Sequence, residues 1–431
     1  MGSNTNAFGL WSAVLLGIGS MVGAGIFVLL GEAGAIAGNL VYISFVFGGI
    51  IALLSGYSLA KLATAYPSRG GVVEYLVQCY GEGIFSGSVS ILFYLSAMVA
   101  IAMVAKTFGT YASMMIIDSD ATMWSNVFSI GILLAFMLIN LAGSSLIVRS
   151  ENAIVIIKLS IIVIFTIVVF FYIDPELLSL KNSPPVMNVF SSIALTFFAY
   201  EGFRVITNTA EDMDNPGETI LKAMFIAIGL VMILYVAVAL AVFGNLTLPK
   251  IITAQDYALA EAAKPALGQT GFTIMAVAAL ISTASSINAN LYAVTNVTYQ
   301  MAKNGELPKV YERNVWHSSE GLIISTLILV VFVLFFNLNE IAAIGSISLL
   351  FIHALVHIGH LLKIKETKAS KMFVVFAILT IAMAIVLALG YTSRHIPNVG
   401  YFITIGFVLA FIIEIGLRLI TKRAVSKQTP T

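Results

Sequence analysis

Apolar residues in this chain fall into long, nearly unbroken runs, and polar residues gather in the short stretches between them. A helix needs about 20 mostly apolar residues to cross a bilayer. Twelve runs meet that length and are numbered here as spans 1 to 12: 10–37, 39–63, 84–117, 124–146, 150–173, 184–211, 220–245, 269–301, 320–337, 340–362, 372–392 and 398–420. They lack two-residue alternation, so helices rather than strands are predicted. A transmembrane barrel would instead show alternating segments of about ten residues. Two connections carry a pattern of their own. Residues 64–82 open with Pro-Ser-Arg-Gly-Gly and continue amphipathically, which predicts a short helix along the inner face. Residues 249–266 contain DYALAEAAKP, which predicts a short helix outside, between spans 7 and 8.

Composition agrees with an all-α membrane protein. Of 431 residues, 59% are apolar and only 10% are charged, against about 25% charged in soluble domains. Positive residues mark the cytoplasmic side. With an inner N-terminus, 15 of the 22 Lys and Arg lie inside and 5 outside, and Lys158 and Arg204 fall within spans. This predicts a multi-pass protein of the cell membrane with cytoplasmic segments at 1–9 and 421–431. No cleavable signal pattern is evident at the start. A net charge of +1 argues against a nucleic-acid partner. Cys79 is the single cysteine, so no internal disulfide forms, and it reads as a packing residue.

Two spans look weak as helices. Span 1 carries Gly19, Gly23 and Gly25 within seven residues, and each glycine costs a helix about 1 kcal/mol relative to alanine. An unwound segment fits this pattern, and so does a small-residue packing face. Span 6 carries Glu201, Gly202 and Arg204 at mid-depth. Charges there cost about 2.5–3.5 kcal/mol each and normally face a bundle interior or a wet cavity. Spans 1 and 6 are five apart and therefore run in opposite directions. That is the arrangement of two inverted five-helix repeats with a binding site where broken helices meet. The repeats would be 10–173 and 184–362, with two additional helices at 372–420.

Motifs at these places are familiar. GSMVGAGIF at 19–27, FFAYEGF at 197–203 with EDMDNP at 211–216, SSINANLYAVTNVTYQMAKNGELP at 285–308 and YPSRGG at 66–71 stand in order along the chain. In these the sequence resembles the amino acid–polyamine–organocation (APC) superfamily of transporters, over essentially spans 1 to 10. Within it the nearest likeness is to proton-coupled carriers of broad amino acid specificity. The resemblance implies a LeuT-type fold of two inverted repeats with broken helices 1 and 6. It also implies how an amino acid is held: carboxylate at the amides of Gly23, Ala24 and Gly25, ammonium at carbonyls near Ser20, Met21, Phe198 and Ala199. Backbone N–H groups and the positive end of a half-helix suit a carboxylate on general grounds. Phe197, Phe198, Tyr200 and Phe203 are candidates to cover the substrate, or simply to pack.

Lys158, in span 5, is the residue that bears on coupling. It either snorkels to the surface or stands where sodium-coupled relatives hold their ion. In the second case its partners are carbonyls near Gly19 and Val22 and the hydroxyls of Ser282 and Ser285. A buried lysine releases its proton readily. A lysine at this point, shared with proton-coupled members of the family, implies proton coupling without sodium. Glu201 and Arg204 depart from the common family pattern. They are expected to neutralise each other, or Glu201 reads a cationic substrate, or Glu201 titrates. His353, His357 and His360 share one face of span 10 and read as an inward polar face rather than a metal site. Glu32 and Lys106 both lie toward the outer side and are candidates to pair.

No Walker motif, nucleophile elbow or zinc signature occurs, so no catalytic residue, metal or cofactor is expected beyond a coupling proton. The leading expectation is secondary transport of amino acids, neutral and of broad range, by alternating access. The alternatives are an amino acid or amine exchanger and, more remotely, a non-transporting sensor. Oligomeric state leaves no mark in the sequence.

Overall fold

The computed structural model describes residues 9–68, 70–117, 121–143, 145–213, 215–303, 305–396 and 398–421. Arg69, Asp214 and the terminal segments 1–8 and 422–431 lie outside the described residues, as do the side chains of Ala24, Arg149 and Glu151. Among the described residues, eleven helices are long and apolar enough to cross a membrane, and a twelfth, Glu320–Phe335, is apolar but only 16 residues long. That twelfth is span 9, shorter than its apolar run because Phe336 turns to extended backbone.

Span 3, Ile84–Ile116, forms the middle of the bundle, packed against spans 4, 8, 9, 10 and 12. Its apolar window is 89% buried, against 17% for the windows of spans 4 and 12. Spans 4 and 12 therefore present their apolar faces outward, where only lipid would cover them. Span 2, Val41–Ala65, packs against spans 6, 7 and 11.

Both weak spans are irregular, in different ways. Span 1 is Leu10–Met21, then Val22 and Gly23 outside the helix, then Ala24–Phe27 and Leu29–Ala37. Val22 has φ −81° and ψ 76°, which helix cannot continue. Span 6 is not unwound. It runs Val186–Ser191 and Ile193–Tyr200, then tightens into a 3₁₀ helix over Glu201–Asp212. Twelve residues of 3₁₀ is long for a form that seldom exceeds 3–4 residues.

The two predicted surface helices are present. Val72–Tyr80 is amphipathic and lies against span 10. The stretch after span 7 is divided into Leu248–Thr253, a 3₁₀ turn Gln255–Tyr257 and Ala258–Glu261. Span 8 follows in the helix Lys264–Lys303, which bends at Gly268, where φ is +60°.

The helix Val72–Tyr80 seats closely: a side chain at Gly359 would meet Cβ of Cys79 at 2.7 Å. Burial pushes the Cys79 thiol up to about 12. Maleimide at pH 7.5 should therefore label the folded protein at less than about a tenth of the rate in SDS, because both access and thiolate are lacking. Equal rates would show that this helix does not hold its place against span 10.

Candidate functional site

In a bilayer, backbone groups released by a broken helix must find other partners. The break in span 1 releases carbonyls, and each of three receives a side chain from a different span. Lys158 of span 5 donates from Nζ to the Gly19 carbonyl at 2.7 Å. Tyr235 of span 7 donates to the Met21 carbonyl at 2.7 Å. Ser282 of span 8 donates to the Val22 carbonyl at 2.9 Å. Lys158 also sits at the negative end of the half-helix Leu10–Met21, where a cation is favoured. It is buried. Gly19 makes the approach possible, since a Cβ there would lie 2.6 Å from Val155, one turn before Lys158.

The two weak spans meet backbone to backbone. A Cβ on Gly202 would stand 2.4 Å from both Met21 N and Ser20 C, and one on Gly25 would stand 2.7 Å from Ala199 O. The Tyr235 hydroxyl, bonded to Met21 O, also lies 3.2 Å from Ala199 O, and so ties both spans together.

Beside this junction is a cavity of about 60 Å³. Span 1 contributes Ser20, Met21 and Gly25, and span 6 contributes Phe198, Ala199, Glu201, Gly202, Arg204 and Val205. Ala100, Met103 and Val104 of span 3 form an apolar wall, and Ser286 and Asn290 of span 8 a polar one. One water needs about 10–15 Å³ by this measure, so about four to six water-sized groups fit, the bulk of a small amino acid.

A family described as amino acid permease matches residues 8–413. The chain belongs to the amino acid permease family. It is similar to an uncharacterized protein of Methanocaldococcus jannaschii, 37% identical over 97% of this chain and 96% of that one. The inner membrane transport protein YbaT of Escherichia coli is 36% identical over 81% of this chain and 82% of its own. The serine/threonine exchanger SteT of Bacillus subtilis is 26% identical over 70% and 69%. Family and relatives are transporters, and the permease is not an enzyme.

Within this permease, several sequence expectations change. Gly23 does not line the cavity, and its N–H is already bonded to Met21 O at 2.9 Å. Ala24 only begins the next short helix. Met21 O, serving both Gly23 N and Tyr235, has its two lone pairs occupied, so it is not available to an ammonium. Tyr200 faces away from the cavity. Its hydroxyl donates to Phe45 O at 2.9 Å and its ring packs on Tyr235. Phe197 and Phe203 also leave the cavity and flank His353 instead. On span 8 it is Ser286, not Ser285, that faces the break: Ser286 Oγ lies 3.1 Å from where a Gly23 Cβ would be. Ser285 is half-buried.

Glu201 is in the cavity wall, but it is not free. Arg204 Nε lies 2.9 Å from Oε1, close enough to pair in charge although the N–H is not aimed along the line. His353 Nε2 is 3.0 Å from Oε2. Arg204 in turn lies over the ring of Phe93, 4.8 Å from its centre. Glu32 interacts with the carboxyl group of Asp256 rather than with Lys106. Burial raises Asp256 above the usual carboxylate range, and the bond with Glu32 and then the charge of Lys106 partly offset that.

Tyr235, Ser286 and Asn290 were missed from sequence, although Asn290 lies within the SSINAN motif. Gly202→Val should lower the melting temperature in detergent, at a cost of about 1–3 kcal/mol for overpacking, and abolish uptake. Unchanged melting would show that spans 1 and 6 do not touch there.

Proposed function

We propose that this permease imports small neutral amino acids by alternating access, coupled to protons and independent of sodium. The observation that carries the reading is the cavity at the junction of spans 1 and 6, with a buried lysine bonded to the span 1 break just beside it. In this reading Ser20 and Phe198 supply carbonyls to the substrate ammonium. The amide of Gly25, Ser286 and Asn290 face its carboxylate, and the limited volume selects a short side chain. Lys158 is the group that couples a proton to the break in span 1. Protonated, it satisfies the Gly19 carbonyl; deprotonated, it loses most of its hold there, and the half-helix Leu10–Met21 is released to move. The inverted repeat, and a cytoplasmic location for both termini, belong to the same reading. They are supported by the opposed directions of the two irregular spans and by the Lys and Arg distribution.

Glu201 engaged by both Arg204 and His353 favours neutral over cationic substrates, because a cationic side chain would have to displace Arg204 from it. Exchange is the second reading, favoured by the similarity to SteT.

Uptake of labelled alanine and arginine into sodium-free proteoliposomes tests both. Alanine uptake should rise with an inward proton gradient. In Lys158→Ala it should fall about tenfold or more, as expected when a buried carbonyl loses a partner worth about 1–3 kcal/mol. Uptake that ignores the gradient and requires internal amino acid would make the protein an exchanger. A preference for arginine would put Glu201 in contact with the substrate side chain.

A further inference from the structure

Span 10, Leu338–Leu362, carries three buried histidines facing span 2. Their partners form a ladder that begins at the cavity wall. His353 Nε2 meets Glu201 Oε2 at 3.0 Å. His353 Nδ1 meets Ser55 Oγ at 3.0 Å, and the same oxygen meets His357 Nε2 at 2.9 Å. Lower down, Ser58 Oγ meets His360 Nδ1 at 2.7 Å, and His360 Nε2 meets Thr367 Oγ1 at 2.8 Å. Thr367 stands at the end of span 10 that carries Lys363 and Lys365, the side read as cytoplasmic. His353 to His360 covers about 10 Å along the helix axis.

Proton positions follow from counting donors. Glu201, paired with Arg204, is a carboxylate and only accepts, so His353 Nε2 donates to it. With a single ring proton, His353 accepts at Nδ1, and Ser55 is then the donor. Ser55 has a single proton, so His357 Nε2 must donate to Ser55. That leaves His357 Nδ1 as a bare lone pair, and it has no hydrogen-bond partner among the described residues although the residue is fully buried. In the lower segment Thr367 donates to the carbonyls of Lys363 or Ile364, so it accepts from His360 Nε2, and Ser58 donates to His360 Nδ1. The ladder is thus interrupted once, between His357 and Ser58, and each side of the interruption ends in an acceptor. A water donating to both, or a turn of the Ser58 hydroxyl toward His357, would complete it.

We propose that this ladder is a proton relay between Glu201 and the cytoplasmic side, so that coupling protons leave the cavity wall through span 10. A proton held on Glu201 leaves in four transfers that put His353 and His357 in the tautomers assigned above: Glu201 O–H to His353 Nε2, His353 Nδ1–H to Ser55, Ser55 O–H to His357 Nε2, and His357 Nδ1–H across the interruption to Ser58, whose own proton passes to His360 Nδ1 as His360 Nε2–H passes to Thr367. No bond other than these N–H and O–H bonds changes, and one positive charge is transferred. The group of Glu201, Arg204 and His353 goes from +1 to net neutral, which weakens the pull of the cavity on a substrate carboxylate. Other charged or titratable groups flanking the ladder are Lys61 of span 2, Cys79 and Tyr80 of the amphipathic helix, and the Lys363–Glu366 pair at its lower end. Phe197 and Phe203 shield His353 from solvent.

The inference rests on the proton-coupled reading, and its test separates the two. In proteoliposomes, wild type, His357→Gln and Ser55→Ala are compared for gradient-driven alanine uptake and for gradient-free alanine exchange. Net uptake needs proton turnover and should fall about tenfold in both variants, while exchange stays within about twofold of wild type. Ser55→Ala removes one oxygen only and decides the matter if the histidine variant loses its fold. Gradient-driven uptake retained in Ser55→Ala overturns the relay while leaving the transport reading intact. So does loss of exchange together with uptake, which would make the ladder a structural part. Wild type lacking all gradient dependence would instead sink the coupled reading. The relay is then decided by infrared spectroscopy after a pH jump on the purified protein. A band abolished by Glu201→Gln should rise more slowly in Ser55→Ala than in wild type; equal rates overturn it.

Discussion

The structure depends on one requirement, that no backbone polar group be left unpaired in the bilayer. Span 1 breaks at Val22 and Gly23, and the carbonyls of Gly19, Met21 and Val22 then need donors from outside the helix. Lys158, Tyr235 and Ser282 supply them from spans 5, 7 and 8. Three helices are thereby fixed in position around a single defect. The glycines work toward the same end, since Gly19, Gly25 and Gly202 let the neighbouring segments come close enough for those bonds. The cavity lies where this arrangement cannot close completely.

The defect also links the two irregular spans. One tyrosine hydroxyl serves Met21 O and lies within reach of Ala199 O. Moving either span alone would strand a carbonyl, so motion at this place involves spans 1, 6 and 7 together. Span 6 contributes a different kind of weakness, a 3₁₀ stretch that carries Glu201 and Arg204 on adjacent turns. These residues hold the charge of the cavity wall near zero, and any event that protonates Glu201 changes it.

Much of this was readable in the chain. The spans came from run length, and the irregularity of span 1 from its glycines. Contact of Lys158 with Gly19 followed from family resemblance, which named Ser282 as a partner of Lys158 and not of Val22. What escaped has physical causes. Tyr235 is one aromatic residue within an apolar helix, and nothing in periodicity separates a capping tyrosine from a packing one. Ser285 and Ser286 are neighbours about 100° apart around a helix, so only the rotation of the helix after Gly268 decides which faces the break. Tyr200 sits in the right motif, but the turn from α to 3₁₀ at Glu201 directs it behind the cavity. Ser55 and Ser58 stand out in no sequence pattern, and only the placement of span 10 beside span 2 gives them their histidine partners. The pairing of Glu32 with Asp256 depends on a turn between two short outer helices, which no pattern within either reveals.

Span 9 has a consequence of another kind. At 16 residues it covers only about 24 Å of helix, against a hydrocarbon layer of about 30 Å. A helix this short is met by a thinner bilayer, by flanking residues that reach outward or by association, each at a cost of a fraction of a kcal/mol per ångström. Thinning would give the protein a shallow dimple on one flank, which lipids with shorter chains would relax. Two such flanks brought together would share one dimple in place of two.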